Sequence, residues 1–185
     1  MKNGKLKIKT FGSTLISAQG FALGAFVLFS IFHFSLSNVT AQPDSVPPPT
    51  KVISKAEKEK LDAVTDEKDR TILALSLMDT HLKQAEKYFA AEDLANLYVE
   101  LGAFHYLMDN ALDFLLRRNT GSNKMRSNLK RYEIGLRGFA PRLELIRREV
   151  QPAYEPYIFR LLKLLRDTRS KAIEPLFGDT VVPNN

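Results

Sequence analysis

The chain has 185 residues, with 27 Lys and Arg against 21 Asp and Glu, and no cysteine. The missing thiols exclude a disulfide framework, a thiolate nucleophile, a cysteine-ligated zinc or iron–sulfur site and a covalently attached c-type haem. The formal charge of +6 does not argue for nucleic acid, because four of the lysines sit in an amino-terminal segment that reads as an export signal.

That segment starts with Lys2, Lys5, Lys7 and Lys9 and has no acid before Asp44. An apolar run follows, densest from Phe21 to Leu36, and it closes on Ser37-Asn38-Val39-Thr40-Ala41. Val39 and Ala41 are small residues at the two positions that a signal peptidase reads. Residues 1–41 are therefore expected to be a secretory signal cleaved after Ala41, placing the rest in the periplasm or outside the cell. The alternative is an uncleaved inner-membrane anchor. Against it, the apolar run falls short of the ~20 residues that a spanning helix needs, and His33 interrupts it. No cysteine follows the run to carry a lipid, and no twin arginine precedes it. Cleavage leaves 23 basic and 21 acidic residues, a net charge of +2, on a chain long enough for one domain with a substantial core.

Residues 42–53, rich in proline, are expected to form an extended linker. Ser54-Lys55-Ala56-Glu57 matches a capping box, which predicts a short first helix over about Ser54–Val64. Apolar residues then recur three and four apart in four successive stretches. The first stripe is Leu75, Met78, Leu82, Ala85 and Phe89, on a helix over about Asp66–Ala91. The second is Leu94, Leu97, Leu101, Phe104, Met108, Ala111 and Leu115, over about Asp93–Arg118. The third, after Asn119-Thr120-Gly121-Ser122, is Met125, Leu129, Tyr132, Leu136, Phe139, Leu143, Ile146 and Val150. The fourth, after Gln151-Pro152, is Tyr154, Ile158, Leu161, Leu165, Thr168 and Ala172.

No stretch alternates in the manner of a strand. The fold expected is all-α: an antiparallel four-helix bundle over residues 54–178, preceded by the short helix. Leu101, Phe104, Leu136, Phe139 and Leu161 are expected near its centre. Pro141, with Gly135 and Gly138 just before it, should kink the third helix or break it in two. The tail begins at Pro175, with Leu176 and Phe177 folding back on the bundle and residues 179–185 loose.

No catalytic motif stands out. There is no Gly-x-Ser-x-Gly, no phosphate loop, and no Glu-x-x-His of the di-iron bundles: Met78 precedes His81 by three residues and Gly102 precedes His105. His105 and Asp109, one turn apart, would share a metal only with a third ligand such as Asp79 or Glu100. The structural alternative is a histidine hydrogen-bonded to Asp109 at the edge of the core. No cofactor is implied, and nucleic acid is not an expected partner.

Charge segregation is the more informative signal. Residues 42–113 carry 8 basic and 14 acidic side chains, net −6, whereas residues 114–185 carry 15 basic and 7 acidic, net +8. Either the two halves attract each other within the bundle, or the basic half is a face for an anionic component or protein of the envelope. On the second reading Arg131, Arg137, Arg142 and Arg148 are the candidate contacts. The expectation is thus an exported, non-enzymatic binding module of the cell envelope, the alternative being a metal-binding or enzymatic bundle built on His105 and Asp109.

Overall fold

The structure is a computed structural model that describes residues 45–177. The expected signal over residues 1–41 and the expected loose tail over 179–185 lie outside the described residues. Within them the fold is all-α, with six helices and no strand: α1 (Lys55–Ala63), α2 (Glu67–Ala90), α3 (Leu94–Arg117), α4 (Asn123–Arg137), α5 (Phe139–Glu149) and α6 (Glu155–Phe177). No helix among the described residues is long and apolar enough to cross a membrane.

Local chemistry explains where the helices start. At α1 the capping box is complete: Ser54 Oγ accepts from the Glu57 amide at 3.2 Å, and the Glu57 carboxylate accepts from the Ser54 amide at 2.9 Å. Asp66, Asp93 and Ser122 cap α2, α3 and α4 by accepting backbone amides with their side-chain oxygens, which satisfies donors that have no partner within the helix. The turn from α2 into α3 puts Glu92 at φ +58°. Its amide donates to the Phe89 carbonyl at 3.0 Å, and the Asp93 amide donates to the Tyr88 carbonyl at 2.9 Å. That pattern closes a helix through one left-handed residue, usually glycine.

The third apolar stripe spans two helices. Pro141 has no amide to offer the Arg137 carbonyl four residues earlier, and its ring crowds that group. The interruption accordingly falls at Gly138, between α4 and α5, and Pro141 sits in the first turn of α5, where a missing donor costs little. Tyr132, Leu136, Phe139, Leu143 and Ile146 stay buried across the break, so the apolar face keeps its register. At the other end α6 does not stop before Pro175 but continues through it to Phe177. This deprives only the Lys171 carbonyl of an amide, close to a helix end. Leu176 packs partly buried against the core, but Phe177 is 65 % exposed, and both belong to α6 rather than to the returning tail that was expected.

The helices pack as two pairs, α2 on α3 and α4–α5 on α6, with further contact of α2 on α4 and α3 on α6. A three-residue connection joins α2 and α3, so they run in opposite directions. By contrast α2 and α4–α5 run the same way. Lys124 meets Asp66 at 2.9 Å near their starts, and Arg142 meets Asp79 and Glu86 further along both. Leu101, Phe104, Leu136 and Leu161 are fully buried and Phe139 is nearly so. The Phe104 and Phe139 rings meet edge-on at 5.3 Å. Tyr132, fully buried on α4, donates its hydroxyl to the Met108 carbonyl of α3 at 2.6 Å.

Residues 45–53 are extended, as their prolines dictate, and lie against the helices. The Val46 amide donates to the Ala153 carbonyl at 2.9 Å, Lys51 pairs with Asp109 at 2.8 Å, and Val46 and Ile53 pack on the core. The contact tolerates nothing larger than glycine on α3: a Cβ at Gly102 would lie 2.4 Å from the Thr50 carbonyl oxygen.

Candidate functional site

The two histidines of the described residues both sit beneath the segment that leads into α2. His105 is buried on α3. Its Nδ1 lies 3.3 Å from the Tyr157 hydroxyl and its Nε2 3.4 Å from Asp109, which in turn binds Lys51. Burial lowers the His105 pKa from its ordinary 6.5, opposed by Asp109 and reinforced by Lys51. The two other acids considered as ligands are occupied elsewhere: Asp79 by Lys83 and Arg142, Glu100 by His81. The structure does not bring them to His105, and no group of three potential ligands among the described residues could hold a metal.

His81 forms a cluster that sequence reasoning missed. Its Nδ1 lies 2.6 Å from Glu100 on α3 and its Nε2 lies 3.0 Å from Glu57 on α1, all three side chains being about four-fifths buried or more. Burial raises the Glu57 pKa, but the Ser54 hydrogen bonds and then His81 outweigh it and leave the carboxyl below its ordinary value. With a carboxylate on each ring nitrogen, neither nitrogen is free to take a proton from a substrate. The cluster ties three helices together. Half of it was legible, since His81 and Glu100 flank the turn at Glu92 on the two arms of an antiparallel pair, within about one helical turn of the same level. Glu57 arrives from α1, whose approach no periodicity reveals.

The basic half divides sharply between paired and unpaired cations. Of the four candidate arginines, Arg142 points at α2. Its Nε and Nη2 grip Glu86 at 2.6 and 2.8 Å, and its Nη1 binds Asp79 at 2.7 Å. Those hydrogen bonds, Glu86 first, raise its pKa despite burial. Arg137 reaches back along α4 to Glu133 at 2.8 Å, and Arg169 of α6 meets the same carboxylate at 2.9 Å. Arg148 and Arg147 share Glu144, and Arg147 also binds Glu155 at 2.6 Å. Glu144 is pulled down to about 2 by Arg147 and then Arg148. Arg131 donates to a neutral group, the side-chain Oδ1 of Asn128, at 2.6 Å. The four therefore do not converge: Arg142 is held against the acidic α2, while Arg137 and Arg148 are exposed and pair with carboxylates one turn back on their own helices.

Other cations on these helices have no acidic partner among the described residues: Arg126 and Lys130 on α4, and Arg160, Lys163, Arg166 and Lys171 on α6. The acids on α4–α6 without a partner among the described residues are Glu149, Asp167 and Glu174, so a positive excess remains there after internal pairing. Between α5 and α6 runs an open groove of about 460 Å³, lined by Ala140, Pro141, Phe159 and Leu162 with Glu144, Arg147 and Arg166 at its polar edge. Heptad position places the cations off the core; which of them an acid on a neighbouring helix consumes depends on the packing. Comparison of the chain with protein-family models, with curated proteins and with solved structures gives no match.

Proposed function

We propose that the chain is an exported, non-enzymatic binding module of the cell envelope, which holds an anionic partner on the outer face of its basic half. Residues 54–178 form, on this reading, one four-helix bundle in which α4 and α5 count as a single bent helix, with α1 laid across α2 and α3. The observation that carries the reading is the set of Lys and Arg side chains on α4 and α6 that pairing among the described residues leaves without an acid. Arginine grips phosphate or carboxylate through paired donors, and exposed charges of this kind steer anionic partners to a surface. Of the four arginines first considered, Arg142 is excluded because α2 already neutralises it, and Arg137 and Arg148 are secondary because they share Glu133 and Glu144 with other arginines. Cleavage after Ala41 would leave the bundle free in the periplasm or outside the cell.

The test is binding to a soluble polyanion such as polyphosphate, measured by titration at several salt concentrations. Charge on an exposed face is screened beyond ~8 Å at physiological ionic strength, so binding should fall steeply with salt. Converting Lys130, Lys163 and Arg166 to Gln should abolish it and leave the helical signal unchanged. Salt-independent binding, or none, overturns the proposal. Export is checked separately by intact mass, since the protein recovered from its compartment should begin at Gln42.

A further inference from the structure

We infer that the basic face docks on an anionic lipid bilayer, an assignment that rests on the anionic-partner reading above and names its chemistry. The inference comes from how cations and apolar side chains interleave on one side of the molecule. Along α4 and α5 the positions Lys130, Ile134, Arg137, Pro141, Leu145 and Arg148 follow one another at spacings of three and four, so they form one line on the helical surface. The register holds through the break at Gly138, because the buried positions on the opposite side also keep theirs. Phe159, Lys163 and Arg166 form a matching line on α6, and the shared groove places Phe159 and Arg166 beside Pro141. All nine positions are exposed.

Three of the nine are large apolar side chains held out in solvent: Ile134 is 52 % exposed, Leu145 57 % and Phe159 52 %. A soluble polymer or a free phosphate would be gripped by the cations alone and would leave these three in water. A bilayer surface uses both kinds of group: the cations meet lipid phosphates, while the apolar side chains enter the boundary between headgroups and acyl chains. The acids near this face are mostly neutralised. Glu144 is shared by Arg147 and Arg148, and Glu133 is buried between Arg137 and Arg169. Glu149 beside Arg148 on α5, and Asp167 and Glu174 on α6, remain without a partner among the described residues, so the charge complement to a negative membrane rests on Lys130, Lys163 and Arg166, which meet no acid among those residues. No helix among the described residues is long and apolar enough to cross a membrane, and this mode of attachment needs none.

The chain has no tryptophan, so a single one reports where it is placed. Leu145→Trp puts it in the proposed contact. Val99→Trp puts it at an equally exposed site, 57 % accessible, on α3. Each full-length variant is mixed with phosphatidylglycerol vesicles, with or without brominated acyl chains, and with phosphatidylcholine vesicles as the neutral control. Expected are a blue shift and bromine quenching for Leu145→Trp on the anionic vesicles, neither on the neutral ones, and neither for Val99→Trp. Adding Lys130→Gln, Lys163→Gln and Arg166→Gln to the reporter should weaken partitioning about fivefold per cation removed, so roughly a hundredfold in all.

Emission from the Leu145 reporter that stays solvent-like while the protein sediments with the vesicles would overturn the inference, since another part of the chain then holds it. Equal response on neutral vesicles would overturn it too, by reducing the contact to apolar adsorption. A blue shift without vesicles that grows with protein concentration would instead assign the face to a second copy of the chain. Cation-dependent binding to polyphosphate without any Leu145 response removes the bilayer and leaves the anionic-partner reading standing; failure of both removes both.

Discussion

Glu133 offers the sharpest test of the packing that creates this surface. It is 2 % exposed on α4, and its carboxylate accepts from Arg137 Nε and Nη2 and from Arg169 Nε and Nη2 at 2.8–3.0 Å. Glu133→Gln keeps the size and one acceptor but removes the charge and turns an NH₂ toward guanidinium donors. Charged hydrogen bonds contribute about 1 kcal/mol more than neutral ones, and two arginines lose that advantage. Their side chains are 62 % and 29 % exposed, so water recovers part of the loss for Arg137. The net destabilisation should be about 2 kcal/mol, read as a lower urea midpoint at unchanged slope near neutral pH.

The pH dependence follows from the same contacts. The Arg137 hydrogen bonds hold the Glu133 pKa below its ordinary 4.5, against burial and with help from Arg169. A depressed folded-state pKa means that the contribution is complete above about 4.5 and disappears as pH falls through the folded value. The difference between wild type and Glu133→Gln should therefore shrink in acid. A destabilisation under about 0.5 kcal/mol near neutral pH, or one that does not change in acid, would refute the reasoning, because the carboxylate would then not be what joins α4 to α6.

Phe104→Ala empties a fully buried site edge-on to Phe139 and should cost about 3–5 kcal/mol, seen as a large fall in thermal midpoint; an unchanged midpoint would contradict the core. Gly102→Ala drives a Cβ into the Thr50 carbonyl and should speed proteolysis within residues 45–53 while the helices keep their circular dichroism; equal cleavage rates would show the segment undocked. Burial lowers the His105 pKa from 6.5, so its contribution is present above that value and lost as pH falls through the lower folded one. The stability difference between wild type and His105→Gln, followed by urea unfolding across pH, should narrow below about 6.5, and a difference that widened there would show the ring stabilised in its charged form.

Much of the helical layout was legible because its causes are local. Ser54 and Glu57 cap each other across three residues, Asp66, Asp93 and Ser122 cap the helices that follow them, and a stripe such as Leu97, Leu101, Phe104 and Met108 repeats whatever it packs against. Pro141 likewise announced a break, and steric crowding of the carbonyl four residues earlier moved that break to Gly138. Pro175 misled for the converse reason: near a helix end a lost hydrogen bond is too small a penalty to stop α6. The all-α class, the helix starts and the core positions thus follow from interactions that span one or two turns. Which arginines remain free does not. Arg142 and Lys130 both lie off the apolar stripe, yet one is gripped by two acids that are 56 and 63 residues away in sequence and the other meets no acid among the described residues. The same holds for Glu57 reaching His81 and for residues 45–53 lying on Gly102. Such pairings depend on how helices turn toward one another, a property of packed faces between distant segments that no periodicity within a single helix encodes.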